Sequence, residues 1–191
     1  MADELTSARN LIYAEAAALR RAAHKLGAEF ELALDLLEGG RSAFYSGVGK
    51  SGHVAAHIAA KMRSCGFSSW FVHPTDALHG DMGAISDGSV VVAISRSGEC
   101  DEIVSFVQSA KAVSAVKVVA ITGGLESRLA GEADVVIDAG ADEAVPDSLV
   151  PTSSTAAAMA IGDALTLALQ ARVGRGVEDF KRTHPGGVLG Q

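Results

Sequence analysis

The sequence is poor in the residues on which nucleic-acid-binding proteins depend. Aromatic residues make up only 5% of the 191 residues, and 16 Lys and Arg are outnumbered by 23 Asp and Glu. Binding to nucleic acid or to an anionic membrane surface relies on basic patches, and base stacking relies on aromatic rings. Neither is therefore an expected partner of a chain with a net charge of −7.

Cysteines and long apolar segments are also scarce. The two cysteines, Cys65 and Cys100, lie far apart in the sequence, which argues against a disulfide framework and fits a reducing cytoplasm. The apolar runs are only as long as strands, so we expect no transmembrane helix. The amino terminus is acidic and lacks the basic-then-apolar order of a signal peptide. A cytoplasmic protein is the expectation from these absences.

What the chain does contain is an alternation of helical and strand patterns. Apolar residues recur at helical spacing from about Leu5 to Leu37, with a break at Gly27. Strand-like runs then alternate with helical patterns, and they lie at 42–46, 68–72, 90–94, 117–122 and 133–138. Right-handed crossovers between such strands predict an α/β fold, with a five-stranded parallel sheet between two layers of helices. We expect one domain over 1–191, with a helical segment at 1–38 and the α/β core and tail at 41–191.

The third strand leads into the most informative loop of the sequence. Its residues, 90–94, are apolar and mostly β-branched, which predicts a strand buried on both faces. The segment 95–99 follows at the carboxyl end of this strand, where open α/β sheets bind ligands and where backbone N–H groups converge on anions. Ser95 and Ser97 add hydroxyl donors and Glu99 adds a carboxylate. The loop therefore predicts a phosphate site beside a reactive carbon.

A glycine-rich turn, Gly47-Val-Gly-Lys-Ser-Gly52, joins the first strand to a helix. A dinucleotide site would need an acidic residue after the next strand, where His73 and Pro74 stand instead. A Walker A loop would need glycine at position 44, which is Phe44. We therefore expect no nicotinamide cofactor. The turn either offers Ser51 and Lys50 to an anion or is simply a tight strand-to-helix connection.

Histidines are the candidate metal ligands. His53 and His57 are four residues apart on a predicted helix, but no third ligand accompanies them. His73, His79 and Asp81 lie in one loop without a cysteine or a helical partner at fixed spacing. Packing, surface and hydrogen-bonding roles account for these side chains better, so we expect no metal.

Three later segments carry polar residues near predicted element ends. The segment Pro151-Thr-Ser-Ser-Thr155 heads a long apolar helix, and a helix cap alone would account for one or two of its four hydroxyls. Glu143 lies in the preceding loop and is either functional or a solvated loop residue. His184 lies in a tail that breaks at His-Pro-Gly-Gly, and it is either functional or a residue of an ordinary chain end.

Taken together, these motifs resemble the sugar isomerase (SIS) domain of arabinose-5-phosphate isomerases over essentially the whole chain. The motifs that carry the resemblance are Gly47–His53, Phe71–Pro74, His79–Asp81, Ile94–Glu99, Ala120–Gly123, Pro151–Thr155, Gly162–Ala164 and Thr183–Gly187. The resemblance implies a five-stranded parallel sheet between helices and the interconversion of D-arabinose 5-phosphate and D-ribulose 5-phosphate, which feeds bacterial lipopolysaccharide biosynthesis. It also implies a homotetramer in which the tail histidine reaches a neighbour's active site.

The resemblance assigns roles to residues of this sequence. Lys50, Glu99, Glu143 and His184 match candidate catalytic positions. The phosphate is expected among Ser51, Ser95, Ser97, Thr152, Ser153, Ser154 and Thr155, with His79 near the site. Isomerisation through an enediol needs a base and a group that polarises or protonates the oxygens, and it needs neither cofactor nor metal. Lys50 would stabilise the enediolate charge, whereas the identity of the base stays open among Glu99, Glu143 and His184.

The sequence departs from the family pattern at several positions. Arg96 and Cys100 stand where the family usually has Asn and a hydroxyl residue, and Val145 replaces a cysteine. Most members continue into a pair of CBS modules, which would begin where this sequence ends. An isomerase of another phosphosugar, such as 3-hexulose 6-phosphate or sedoheptulose 7-phosphate, is the first alternative. A non-catalytic sugar-phosphate sensor is the second, although a sensor would not need two carboxylates and a histidine together with the serine loops.

Overall fold

The computed structural model describes residues 3–145 and 147–186, which form alternating helices and strands. The helices are α1 (Glu4–Lys25), α2 (Ala28–Gly39), α3 (Gly49–Ser64), α4 (Pro74–Leu78), α5 (Asp101–Val113), α6 (Arg128–Glu132), α7 (Ser153–Arg172) and α8 (Val177–Arg182), with a 3-10 turn at Asp81–Ala84. The strands are β1 (Ala43–Ser46), β2 (Ser69–Phe71), β3 (Val90–Ser95), β4 (Lys117–Thr122) and β5 (Val135–Asp138).

The strands form one five-stranded sheet in the order β2-β1-β3-β4-β5, and all neighbouring pairs are parallel. The predicted α/β class and the parallel sheet are thereby confirmed. Strand order reverses at β1 and β3, so the loops after these two strands diverge to opposite sides of the sheet. Such a reversal opens a crevice at the carboxyl edge, which is where doubly wound sheets bind ligands.

Alternate residues of the strands point to opposite sides of the sheet, and helices cover both sides of its central strands. On one face, residues such as Val92 and Ile94 of β3 pack with α2, α3 and α7. On the other face, Val91 and Ala93 pack with α4, α5 and α6. All six residues of β3 are buried, which agrees with its continuous apolar sequence. Helix α1 lies outside this core and packs mainly against α7.

The predicted break of the amino-terminal helix at Gly27 is confirmed, because α1 ends at Lys25 and α2 begins at Ala28. Two other helices begin at positions that differ from the sequence-based prediction. We expected a short helix over 125–130, but α6 begins at Arg128 because the Ser127 side chain accepts a hydrogen bond from Ala130 N and caps it there. We expected α7 to begin at Ala156, but it begins at Ser153.

Helices α3 and α7 approach each other closely at Gly162. A methyl group on Gly162 would overlap Ile58 Cδ1 and would lie 2.5 Å from Cγ1 and 3.0 Å from Cγ2 of the same side chain. Beside this contact, Lys61 of α3 and Asp163 of α7 form an ion pair of 2.5 Å. The sequence Gly162-Asp163, unusual inside a helix, is thus explained by a close helix crossing. Within the described residues, no helix is long and apolar enough to span a membrane.

Candidate active site

A small cavity lies at the carboxyl edge of the sheet, between the amino termini of α3 and α7. Its walls come from the ends of β3 and β4 and from both helices, and its lining residues are Ser51, Val54, Ile94, Ser95, Arg96, Ile121, Thr122, Gly123, Ala139, Ser154, Thr155 and Ala158. Its volume is about 20 Å³, enough for one water molecule. The structure thus brings together four of the hydroxyl residues predicted for the phosphate, namely Ser51, Ser95, Ser154 and Thr155.

The loop after β3 turns sharply at this cavity. Ser95 is buried and its Oγ accepts a hydrogen bond of 3.1 Å from Gly98 N. Gly98 has a φ of 72°, and a side chain there would collide with Ser127, so the turn requires glycine. The carbonyl of Arg96 accepts from Gly123 N at 3.0 Å and thereby joins this loop to the loop after β4.

Glu143 caps helix α7 from the loop that precedes the helix. Its Oε2 accepts hydrogen bonds from Thr152 N at 2.7 Å and Thr152 Oγ1 at 2.9 Å. It also accepts a longer bond from Ser154 N at 3.4 Å, while Ser154 Oγ donates to Oε1 at 2.5 Å. Arg96 Nε lies 3.2 Å from Oε1, and only 5% of the Glu143 side chain is exposed. A helix amino terminus stabilises an anion, and here that anion is a carboxylate of the protein.

The electrostatics of Glu143 follow from these contacts. Burial by itself raises the pKa of the Glu143 carboxyl, but the hydrogen bonds from Ser154 and Thr152 outweigh burial and hold its pKa below the usual value. The carboxylate is therefore ionised at neutral pH. Because its lone pairs are engaged, it is a weaker base in this arrangement than a carboxylate buried without donors.

Glu99 lies away from the cavity and contacts Arg128. Its two carboxylate oxygens accept hydrogen bonds from Arg128 N at 3.1 Å and Arg128 Nε at 2.8 Å, and about half of the side chain is exposed. Arg128 also contacts Asp101 at 2.8 Å. The hydrogen bonds from the Arg128 side chain lower the pKa of the Glu99 carboxyl. Within this arrangement Glu99 caps α6, a role for which the sequence offers no local signal because Arg128 is far along the chain.

The other predicted site residues divide between the cavity and its surroundings. Lys50 is exposed in the first turn of α3, directly before Ser51. Ser97 is exposed and its Oγ accepts from Glu99 N at 3.2 Å. Ser153 is buried, and its Oγ has no hydrogen-bond partner among the described residues. His79 is exposed at the end of α4, beside β2, and is not part of the cavity wall.

His184 lies at the far end of α3 from the cavity. Its ring stacks on Phe180 with centroids 4.0 Å apart, and its Nδ1 lies 2.8 Å from the Phe180 carbonyl. The neighbouring Thr183 donates to the carbonyl of Ser64, the last residue of α3, at 2.7 Å. Since a helix rises 1.5 Å per residue, Ser64 is about 20 Å from Ser51. The protomer therefore does not bring His184 to its own cavity. Gly187, the last residue of the tail motif, lies outside the described residues.

A second, open cleft adjoins the cavity and shares Arg96 and Gly123 with it. It has a volume of about 570 Å³ and is lined by Arg21, Lys25, Arg96, Ser97, Gly123, Gly124, Gly140, Ala141 and Asp142. Lys25 reaches it from α1 and contacts Asp138 at 2.9 Å and the Gly140 carbonyl at 3.0 Å. Arg21 and Lys25 are not among the residues predicted for the site, because nothing in the spacing of α1 indicates contact with the ends of β4 and β5.

Candidate metal ligands are dispersed in the structure. Over residues 3–145 and 147–186, no three His, Cys, Asp or Glu side chains come close enough together to hold a metal ion. The imidazole of His73 accepts a hydrogen bond from Thr75 N and so caps α4. The other histidines named as candidate ligands, His53, His57 and His79, are exposed.

The structure is thus a parallel sheet between two layers of helices, with a small hydroxyl-lined cavity at its carboxyl edge. The family profile described as the SIS domain matches residues 36–168, and the chain belongs to this family. The chain is 42% identical over 191 residues to arabinose 5-phosphate isomerase KdsD of Pseudomonas aeruginosa, covering 99% of this chain and 58% of that protein. It is 40% identical over 190 residues to arabinose 5-phosphate isomerase KpsF of Escherichia coli O6:H1, covering 98% of this chain and 58% of that protein.

The chain therefore spans less than two thirds of the length of these relatives. Among solved structures, an E. coli CFT073 protein in complex with arabinose 5-phosphate superposes with a TM-score of 0.90 at 31% identity, covering 95% of this chain and 97% of that one. These findings confirm the predicted SIS family and the predicted SIS fold.

Proposed function

We propose that this domain is an aldose–ketose isomerase that interconverts D-arabinose 5-phosphate and D-ribulose 5-phosphate through an enediol. The observation that carries the proposal is the identity of 40–42% over nearly the whole chain to proteins named arabinose 5-phosphate isomerases. A similarity that covers the sheet, the loops and the tail together bears on the site as well as on the fold.

The hydroxyl-lined cavity supports a phosphate site in the proposal. Ser51, Ser95, Ser154 and Thr155 line it, and two helix amino termini point toward it. Hydroxyl and backbone N–H donors at helix amino termini are the groups that bind phosphate without a basic pocket. The proposed substrate site also includes Ser97, Thr152 and Ser153, which neighbour the lining residues in sequence, and His79, which lies outside the cavity wall. The sugar would then extend toward the open cleft at Arg96.

The proposed chemistry needs a base for the carbon-bound proton and groups that polarise the oxygens. Glu143 is the better-placed carboxylate in this arrangement, because Ser154 and Arg96, which it contacts, both line the cavity. Glu99 remains a candidate that would have to leave Arg128 to take part. Lys50, at the start of α3, is proposed to stabilise the enediolate charge. The proposal involves no cofactor and no metal.

We further propose a homotetramer in which the tail of one protomer completes the site of another. Thr183, next to His184, contacts Ser64, which is about 20 Å from Ser51 along α3, so a catalytic role of His184 would require a neighbour's cavity. Leu5, Ile12 and Tyr13 of α1 are each more than half exposed, and such an apolar helix face is suited to contact between subunits. A cytoplasmic location and a role in lipopolysaccharide biosynthesis belong to the same proposal.

A substrate panel tests the reaction. Purified protein, assayed without added metal or nicotinamide, should convert ribulose 5-phosphate faster than 3-hexulose 6-phosphate or sedoheptulose 7-phosphate. Preference for one of the other sugars would replace the proposed substrate while keeping the reaction class. Binding of sugar phosphates without turnover of any of them would favour the sensor and refute the enzyme.

Mixed oligomers test the shared site. Glu143→Gln and His184→Ala variants should each be inactive, and hetero-oligomers assembled from both should regain part of the activity because some sites combine two intact residues. Verified hetero-oligomers without any regained activity would show that His184 does not act across an interface.

A further inference from the structure

The donors at the head of α7 are already occupied by an anion of the protein. Thr152 N, Thr152 Oγ1 and Ser154 Oγ donate to Glu143 at 2.5–2.9 Å. The proposed function assigns these same groups to the substrate phosphate. A carboxylate and a phosphate are both negatively charged and compete for the same hydrogen bonds, so the two cannot occupy this helix terminus together.

The small size of the cavity agrees with an anion site that Glu143 already occupies. At about 20 Å³, the cavity is little larger than a water molecule requires. Two of its lining residues, Arg96 and Ser154, contact the same oxygen of Glu143, Oε1. Movement of Glu143 would therefore free the hydrogen-bond donors of Thr152 and Ser154 and also release Arg96 of the cavity wall.

The segment that carries Glu143 is suited to such a movement. Between β5 and α7 the described residues form no helix or strand. Within the described part of the chain, Asp147 of this segment is the one non-glycine residue with a positive φ, at 61°. A residue held in this sparsely populated region stores backbone strain that a rearrangement can release.

We propose that Glu143 is an internal latch, which occupies the anion site at the head of α7 in the free protein and is displaced by the substrate phosphate. The inference rests on the phosphate site of the proposed function. Displacement has a chemical consequence, because the hydrogen bonds from Ser154 and Thr152 are what hold the pKa of Glu143 low. Once these bonds pass to the phosphate, the carboxylate becomes a stronger base at the moment when substrate arrives.

Sulfate binding measured by calorimetry tests the latch without any turnover. Sulfate is a suitable probe because it is an unreactive dianion of phosphate shape. The Glu143→Gln variant should bind sulfate about tenfold more tightly than the unsubstituted protein or better, since a neutral amide competes weakly for the donors. Asp142→Asn is the matched control, because it removes the same charge from the neighbouring, exposed position and should change the affinity much less.

Two results would overturn the latch. Sulfate affinity of Glu143→Gln that equals or falls below that of the unsubstituted protein would show that Glu143 does not compete. Equal gains in both variants would show only an effect of net charge. The substrate panel is independent of this titration, so tight sulfate binding without turnover would refute the isomerase alone, and turnover without the affinity gain would refute the latch alone.

A crystal structure of the unsubstituted protein with sulfate gives a second measurement that does not depend on a variant. The expected structure has sulfate oxygens bonded to Thr152 N and Ser154 Oγ, with the Glu143 carboxylate displaced from both. Sulfate bound in the cavity with the Glu143 hydrogen bonds intact would contradict the latch.

Discussion

The close crossing of α3 and α7 can be tested with a single added methyl group. Gly162→Ala places Cβ against Ile58, which is fully buried and makes contact through Cδ1, Cγ1 and Cγ2. Overpacking of this kind costs up to about 3 kcal/mol. Alanine gains about 1 kcal/mol over glycine in a helix interior. We therefore expect Gly162→Ala to lower the free energy of unfolding by about 1–2 kcal/mol.

Gly131→Ala is the matched control for this substitution. Gly131 also lies inside a helix, α6, but an added Cβ would meet no atom within 4 Å. Gly131→Ala should therefore change stability only through helix propensity, which raises the free energy of unfolding by up to about 1 kcal/mol. The two alanine variants should thus shift stability in opposite directions although their sequence change is identical.

A double-mutant cycle identifies the clash itself. Ile58→Val removes Cδ1, the atom that the new methyl group would overlap, and by itself costs about 1 kcal/mol. In the Gly162→Ala protein the same change should relieve part of the overlap, so the double variant should be less destabilised than the sum of the single effects by about 1 kcal/mol.

Urea unfolding at one fixed protein concentration is the assay, because subunit association would make stability depend on concentration. Gly162→Ala protein as stable as the unsubstituted protein, or additive effects in the cycle, would refute the argument that Ile58 sets the distance between the helices. Because Ser51 and Ser154 lie at the heads of these two helices, a loss of catalytic efficiency should accompany the loss of stability.

Two predictions concern the site. Because the folded-state pKa of Glu143 is lowered, its contribution to stability is complete at neutral pH and is lost as the pH falls below 4.5 through the lowered pKa. Urea unfolding should accordingly show Glu143→Gln to be less stable by about 1–3 kcal/mol near pH 7, with the difference shrinking in acid; a constant difference would contradict the assigned hydrogen bonds. Ser95→Ala should raise KM for the sugar phosphate about tenfold in steady-state kinetics by removing a cavity hydroxyl, and an unchanged KM would exclude Ser95 from the phosphate site.

The latch and the stability prediction belong together. The bonds that stabilise the head of α7 in the free protein are the bonds that the substrate would take over, so Glu143→Gln is expected to weaken the fold while strengthening sulfate binding. A substitution at a functional site often changes stability and ligand affinity in opposite directions.

Local patterns in the sequence were sufficient for most of the fold. The five strands lie within two residues of the predicted runs. For β1, β3 and β4 the reason is that a strand buried on both faces needs a continuous apolar segment. The break at Gly27 was also predictable, because glycine is a poor helix former. The start of α6 was not predictable, because Ser127 is one of several residues that could cap the helix and the sequence does not indicate which of them does.

For the candidate site, the sequence indicated which residues to consider, and the tertiary structure decided which of them contact one another. The serine loops stand at the ends of predicted elements, whereas the two carboxylates and the tail histidine were singled out as catalytic candidates by the resemblance to the SIS family. Only the folded chain turns Glu143 into the cap of α7, pairs Glu99 with Arg128 and brings Lys25 to the end of β5. The last two contacts join segments remote in sequence, and the geometry of all three depends on the packing of the sheet and helices, which local patterns do not encode.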